Sequence, residues 1–158
     1  FPNHICVRTV PNTPSLVGKG LTGICFGKDV TEEHRQIVDE IFKSSSEVFN
    51  LQEDKLDAFL ALTSSGPAYV ALIIESLADG AVAAGLSRSL AQELSIKTLL
   101  GSSFLLSEYD LHPGELKDMV ASPGGTTITA LRHLEMSGLR SALIEAVLLA
   151  AEKSRSLS

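Results

Sequence analysis

The 158-residue sequence predicts a mainly α-helical fold, in which an all-helical segment follows a shorter α/β segment. Apolar residues make up 44% of the chain and aromatic residues only 5%, and this composition suits packed helices better than a β-sandwich. Strand and turn patterns occupy the first fifty residues, whereas the pattern becomes helical from Gln52 onward. The chain is long enough to bury a core without a disulfide or a metal ion.

The first fifty residues alternate between strand and helix patterns. Residues 4–9 read as a strand, and two prolines in the segment 11–14 indicate a loop. A second strand is predicted for residues 21–26 and a short third strand for residues 46–51. Between them, Thr31 can cap a helix that ends near residue 43. Because the chain opens at Phe1 inside a strand pattern, we expect that an upstream part of the natural protein precedes it.

Helical periodicity continues to the end of the chain. The helix that begins at Pro67 is apolar on nearly all sides and should be buried on more than one side. Six helices, one of them apolar on nearly all sides, present more apolar surface than one small bundle can bury. They therefore predict an extensive subunit interface in a homodimer or a higher homo-oligomer. The six predicted helices span residues 53–62, 67–84 (with Gly85 as its cap), 87 or 89 to 109, 112–120, 126 or 127 to 136, and 140–155.

Charge and cysteine content limit the partners that we expect. The net charge is −6 and no basic run is present, which argues against nucleic acid. Cys6 and Cys25 have no metal-ligand spacing and suggest a reducing compartment. The longest uninterrupted apolar run, residues 67–74, falls short of the ~18 residues of a membrane span. We therefore expect a soluble protein of the cytoplasm or of mitochondria, with no metal, membrane or nucleic-acid partner.

Residues 18–23 (GKGLTG) match the GxGxxG string of dinucleotide-binding folds. That site needs a strand before the string and a helix after it, so that the pyrophosphate meets a helix N-terminus. Here a proline-containing loop precedes the string and a strand pattern follows it. We therefore interpret this segment as a turn and not as a cofactor site.

The segment 122–127 (SPGGTT) carries the strongest signal for a functional site. Adjacent glycines permit unusual backbone conformations, and a helix that begins at Thr126 or Thr127 would point several N–H groups at one position. Such a position can bind a small anion, for example a carboxylate. An ordinary tight connection between two helices explains the same residues and is the favoured interpretation from these residues alone, because Pro-Gly-Gly turns are common.

Several charged residues lie shortly before that segment. The carboxylates and the histidine among them could perform acid–base chemistry, although charged residues on a short surface helix are more often only solvated. These residues are Asp110, His112, Glu115, Lys117 and Asp118.

Five ordered blocks together resemble the pyrroline-5-carboxylate reductase family. The resemblance implies a hydride transfer from NADPH or NADH to the imine of pyrroline-5-carboxylate, which yields L-proline. It also implies a Rossmann domain followed by an interlocking helical domain: residues 1–50 would be the last α/β portion of the Rossmann domain, and residues 51–158 the helical dimerisation and substrate-binding domain. The blocks are residues 10–14 (VPNTP), 64–69 (SSGPAY), 85–88 (GLSR), 112–118 (HPGELKD) and 120–128 (VASPGGTTI).

Site residues follow from the resemblance, position by position. Thr127 resembles the hydroxyl that contacts the ring nitrogen, Asp110 an acidic residue near the active site, and Pro11 and Asn12 the residues that face the nicotinamide. A non-catalytic dimerisation module, or the helical domain of another Rossmann-linked dehydrogenase, remains an alternative. The residues implied to bind the substrate carboxylate are Ser122, Gly124, Gly125, Thr126 and Thr127.

Overall fold

The computed structural model of the chain describes residues 4–157. It confirms the predicted fold class, with six α-helices following a small α/β portion in the described residues. Short 3-10 helices cover Thr13–Val17 and Glu53–Lys55. In chain order the other elements are β1 (Val7–Val10), β2 (Gly20–Phe26), α1 (Glu32–Lys43), β3 (Ser46–Asn50), α2 (Leu56–Thr63), α3 (Gly66–Ala83), α4 (Arg88–Glu108), α5 (Pro113–Val120), α6 (Thr126–Met136) and α7 (Leu139–Arg155).

The three strands form one sheet in the order β1-β2-β3. β1 runs antiparallel to β2, with Val10 opposite Gly23, and β3 runs parallel to β2. β1 begins at Val7, so the predicted first strand began three residues too early. Ile24, at the centre of the sheet, is fully buried.

Helices pack on both faces of this sheet. A Cβ atom on Gly23 would lie 2.7 Å from the ring of Phe59, so α2 lies close against β2 on that face. Arg35 of α1 places its guanidinium 4.2 Å from the ring centre of Phe26. Because Gly23 and Phe26 differ by an odd number of positions on one strand, the two helices cover opposite faces.

Helix ends follow from specific caps. Thr31 accepts a hydrogen bond from the N–H of His34 and begins α1, as predicted. Ser87, rather than Ser89, caps α4 by accepting from the N–H of Leu90. Gly85 closes α3 with a φ of 109°, a left-handed conformation that glycine adopts without strain.

The described residues form two compact units, one within residues 1–68 and 144–158 and the other of residues 69–143. In the first unit, Ser154 near the end of the chain donates a hydrogen bond to Asp57 of α2 over 2.6 Å. In the second unit, Arg88 at the start of α4 forms an ion pair with Asp79 of α3.

The apolar helix α3 is mostly exposed within a single chain. Ala78 is its one buried residue in the described part, and Leu72 is 64% exposed. The stretch Glu53–Ala83 also reaches the length and mean hydropathy, 1.4, of a membrane span, which corrects the count from uninterrupted apolar residues. The count of uninterrupted apolar residues ended at Glu75, whereas a membrane-spanning helix can contain an occasional charged residue. The stretch is interrupted between α2 and α3, and an apolar surface of this kind is also what a subunit interface requires.

Candidate functional site

The loop between α5 and α6 is built around two glycines with different roles. Gly124 has a φ of 67°, a left-handed conformation that favours glycine. Gly125 is extended, with φ −78° and ψ 174°, and its N–H donates to the carbonyl oxygen of Ser122 over 3.0 Å. The loop therefore turns tightly and delivers the chain directly into α6 at Thr126.

The first turn of α6 lacks a side-chain cap among the described residues, because Gly125 occupies the N-cap position. The prediction that Thr126 or Thr127 starts the helix is confirmed for Thr126 as its first residue, but neither threonine is the cap. The carbonyl of Gly125 accepts from the N–H and the hydroxyl of Thr129, over 3.3 and 2.9 Å. Since the first N–H groups of any helix have no intrahelical acceptor, those of α6 remain available to an anion.

Accessibility around this helix start is graded. Ser122, Gly124 and Thr126 are exposed, whereas Gly125 and Thr127 are half-buried. A small ligand at the helix start can therefore reach the Thr127 side chain as well as the backbone N–H groups. The structure thus places three of the five residues of the predicted carboxylate site in the loop and the other two, Thr126 and Thr127, in the first turn of α6.

Asp110 and His112 form the connection from α4 to α5. Asp110 is the single non-glycine residue with positive φ in the described part, at 48°. His112 caps α5: its ring Nδ1 accepts from the N–H of Gly114 over 3.0 Å, and Glu115 accepts from the N–H of His112 over 3.1 Å. Of the predicted acid–base group, His112 and Glu115 are therefore engaged in starting a helix.

The other two members of that group, Lys117 and Asp118, line a groove of about 240 Å³ between α5 and α6. Arg132 and Glu135 line the same groove. A bidentate contact from Arg140 lowers the pKa of Glu135 below its usual value of 4.5. Because this carboxylate is held ionised, it is not suited to deliver a proton near neutral pH.

Pro11 and Asn12 lie in the other compact unit, at the end of β1. The Asn12 carboxamide oxygen accepts from the N–H of Leu21 over 2.9 Å, and its nitrogen donates to the carbonyl of Thr63 over 3.0 Å. The Ser64 hydroxyl donates to the carbonyl of Pro11 over 3.4 Å. Sequence analysis missed these contacts, because no local pattern signals a bond between residues so far apart in the chain.

The GxGxxG segment is confirmed as a turn that leads into a strand. Gly18 has a φ of 68°, and β2 begins at Gly20. A Cβ atom on Gly20 would lie 2.0 Å from the Ser15 hydroxyl oxygen, so this glycine makes room for a side chain of the protein itself. The segment does not fit a cofactor pyrophosphate, because no helix N-terminus follows it.

Two further features bear on the chemistry. In residues 4–157, no three His, Cys, Asp or Glu side chains converge on one point as metal ligands would. Burial raises the pKa of the Cys25 thiol above its usual value of 9.0, and Glu53 acts in the same direction. A thiol with a raised pKa is a poor nucleophile near neutral pH.

Residues 53–157 match the family model described as pyrroline-5-carboxylate reductase dimerisation. The chain is 46% identical over 157 residues to pyrroline-5-carboxylate reductase of Synechocystis, covering 99% of this chain and 59% of the relative. It is 47% identical over 156 residues to the enzyme of Glycine max, covering 99% of this chain and 57% of the relative. The chain thus spans somewhat more than half the length of these relatives.

Solved structures show the same similarity. A crystal structure of Plasmodium falciparum pyrroline carboxylate reductase with NADP bound superposes with a TM-score of 0.94 at 37% identity. The superposition covers 98% of this chain and 62% of that chain.

Proposed function

We propose that this chain, which belongs to the pyrroline-5-carboxylate reductase family, is part of a reductase that converts 1-pyrroline-5-carboxylate to L-proline. The hydride would come from NADPH or NADH, and the reaction would be the last step of proline biosynthesis. One structural observation supports this most: the N-cap of α6 is Gly125, which has no side chain to cap the helix, so the first N–H groups of α6 can bind a carboxylate.

The substrate carboxylate would bind in the loop between α5 and α6. The N–H groups of the first turn of α6 and the positive end of the helix dipole both favour an anion there. Ser122 and Gly124 shape the turn, and Gly125 leaves the helix start open. Thr126 contributes its backbone N–H to the same position.

Thr127 would act on the substrate ring itself. It lies one residue into α6 and is half-buried, so a ligand bound by the helix start would place its ring close to the hydroxyl. A hydrogen bond that the protonated ring nitrogen donates to this hydroxyl oxygen would orient the imine and hold the nitrogen as its bond to carbon becomes single. We assign Thr127 as the catalytic residue on this basis.

The reaction mainly requires that the substrate ring be oriented against the nicotinamide. A protonated imine is already electrophilic, so the hydride that NADPH or NADH supplies can add to carbon while the proton stays on nitrogen. The chain would hold the ring by its carboxylate and its nitrogen, which fixes the face that is attacked. Asp110 would lie near this site, and Pro11 and Asn12 would face the nicotinamide.

The segment 18–23 does not fit the cofactor pyrophosphate, because a strand and not a helix follows it. We propose that residues 1–50 are the last portion of a Rossmann domain and residues 51–158 a helical dimerisation and substrate-binding domain. A homodimer or higher homo-oligomer fits the match to a dimerisation family and the exposed apolar side chains of α3. The expected location is the cytoplasm or mitochondria.

Turnover measurements test this function directly. The complete gene product that contains this sequence should reduce pyrroline-5-carboxylate with NADPH or NADH, whereas the 158-residue chain alone should show negligible turnover and weak cofactor binding. Appreciable turnover by the 158-residue chain would overturn the proposed division of the site. An inactive complete gene product would overturn the function.

Binding measurements separate an enzyme from a non-catalytic dimerisation module that retains the loop only as structure. The complete gene product should bind L-proline, and Thr127→Ala or a bulky residue at position 125 should weaken that binding. Thr127→Ser keeps the hydroxyl and is the matched control, which should bind as wild type does. Equal affinity in all of these variants would favour the module.

A further inference from the structure

Asn12 occupies the N-cap position of the 3-10 helix Thr13–Val17 but does not use its side chain as a cap. Asparagine at an N-cap ordinarily accepts a hydrogen bond from the next turn with its side-chain oxygen. Here the backbone carbonyl of Asn12 accepts from the N–H of Ser15 over 3.2 Å, and the carboxamide is directed elsewhere. The side chain therefore has a different structural task.

The carboxamide oxygen of Asn12 continues the sheet beyond the end of β1. The last pair of the β1–β2 ladder is Val10 with Gly23, and the same register would place Asn12 opposite Leu21. The backbone ladder ends before that point and the backbone carbonyl of Asn12 accepts from Ser15, so the side-chain oxygen accepts from the N–H of Leu21 over 2.9 Å. This bond fixes where the chain leaves the sheet after Pro11.

The carboxamide nitrogen of Asn12 forms a hydrogen bond with a different element, the C-terminal end of α2. It donates over 3.0 Å to the carbonyl of Thr63, the last residue of that helix. Carbonyl groups in a final helical turn have no intrahelical donor, and this bond satisfies one of them. Ser64 adds a second link, because its hydroxyl donates to the carbonyl of Pro11 over 3.4 Å.

We infer that Asn12 is a positioning residue for the cofactor. Its carboxamide ties the Pro11–Asn12 turn both to β2 and to α2, and it thereby holds the backbone that faces the nicotinamide without itself bonding to the cofactor. The inference rests on the proposed function. Beyond the proposed function, it assigns the Asn12 side chain to contacts within the protein and the Asn12 backbone to the contact with the cofactor.

Steady-state kinetics of the complete gene product test the inference. Each variant is assayed well below its own unfolding temperature, so that loss of folded protein does not enter the constants. Asn12→Ala should raise the KM for NADPH or NADH about tenfold, because the turn that faces the nicotinamide is no longer held; a displacement of reacting groups by about an ångström can cost about a hundredfold in rate. The KM for pyrroline-5-carboxylate should change less than about twofold, because the carboxylate loop is untouched.

Two further variants sharpen the test. Asn12→Asp keeps an acceptor for Leu21 but removes the donor to Thr63, so it should also raise the cofactor KM if the link to α2 positions the turn. Asn50→Ala removes an exposed asparagine at the end of β3 and should leave both constants unchanged. If the Asn12 variants unfold at lower temperatures but keep the wild-type KM for cofactor and substrate, Asn12 is a purely structural residue and the inference is wrong. An inactive wild-type protein would overturn the proposed function and the inference with it.

Discussion

The Ser122 hydroxyl oxygen lies 2.2 Å from the position that a Cβ atom on Gly125 would take. The backbone of Gly125 is extended and open to any residue, so space, and not conformation, disfavours a side chain here. The carbonyl oxygen of Ser122 would also be 3.2 Å from the added atom. We predict that Gly125→Ala lowers the free energy of unfolding by about 1–3 kcal/mol, the usual cost of overpacking, as measured by denaturant titration.

A double mutant identifies the source of that loss. In Ser122→Ala the hydroxyl is gone, and the remaining Cβ would lie 3.5 Å from the alanine at position 125, an ordinary contact. The double variant should therefore recover at least half of the loss. Gly124→Ala is the matched control: it should cost about 1–2 kcal/mol through its left-handed backbone and should gain nothing from Ser122→Ala. Strictly additive effects of Ser122→Ala and Gly125→Ala would contradict the proposed contact.

Asp110 closes α4 in a left-handed conformation, with a φ of 48°. The N–H of Leu111 reaches back to the carbonyl of Leu106 over 3.1 Å, the hydrogen bond of a helix-ending Schellman turn. Glycine is the favoured residue at such a position. We predict that Asp110→Gly raises the free energy of unfolding by up to about 1 kcal/mol, and that Asp110→Val lowers it by more than about 1 kcal/mol.

Asp110→Asn separates this backbone role from a chemical one. Asparagine tolerates the left-handed conformation at least as well as aspartate, so the stability of this variant should be no lower than that of the wild type. If the carboxylate contributes to the proposed site, turnover of the complete gene product should fall in Asp110→Asn and in Asp110→Gly alike. Wild-type turnover in both variants would mean that Asp110 serves only to terminate α4.

The limits of prediction from the sequence follow from the range over which each signal acts. Local signals sufficed for the helix from Pro113 and for the compact loop before α6, since turn chemistry and capping involve neighbouring residues. Local signals did not identify Gly125, rather than Thr126, as the N-cap of α6, because threonine and glycine both occur at N-cap positions. The bond from Asn12 to Thr63 crosses most of the α/β portion, so only the folded chain reveals it.

Cys25 provides a pH-dependent readout of its surroundings. Burial raises the pKa of its thiol above 9.0, a hydrogen bond to Glu53 and the charge of Glu53 add to this, and Arg8 opposes it. A raised pKa in the folded state favours the neutral thiol, so its stabilising contribution is complete below pH 9.0 and is lost as the pH rises through the folded-state value. Stability should therefore fall in the alkaline range.

Alkylation kinetics measure this pKa directly. In a Cys6→Ser background, the rate of reaction of Cys25 with iodoacetamide should reach half of its maximum above pH 9.0, because the thiolate is the reactive form. Glu53→Gln removes two of the effects that raise the pKa and leaves the charge of Arg8 unbalanced, so the midpoint should move down. Glu47→Gln, an exposed carboxylate on β3, is the control and should leave the midpoint in place. A midpoint that does not respond to Glu53→Gln would show that burial alone sets it.

The exposed apolar side chains of α3 predict how the chain assembles. Leu72 is 64% exposed in a single chain, and α3 lies within the segment that matches a dimerisation family. In a monomer, Leu72→Glu would be a surface substitution with an effect within about 0.5 kcal/mol on stability. In a homo-oligomer that buries Leu72, the same change would bury an unpaired carboxylate, which costs far more. We therefore predict that sedimentation equilibrium shows at least a dimer for the wild type and a dissociation constant at least about tenfold higher for Leu72→Glu.

Leu16→Glu is the matched control, because Leu16 is 90% exposed and lies outside the segment matched by the dimerisation family. Its dissociation constant should equal that of the wild type, which would show that an added charge alone does not separate the subunits. Equal effects of both substitutions would mean that general charge repulsion, and not a specific surface on α3, governs assembly. A monomeric wild type at every concentration would contradict the proposed interface altogether, since α3 would then expose its apolar side chains without a partner.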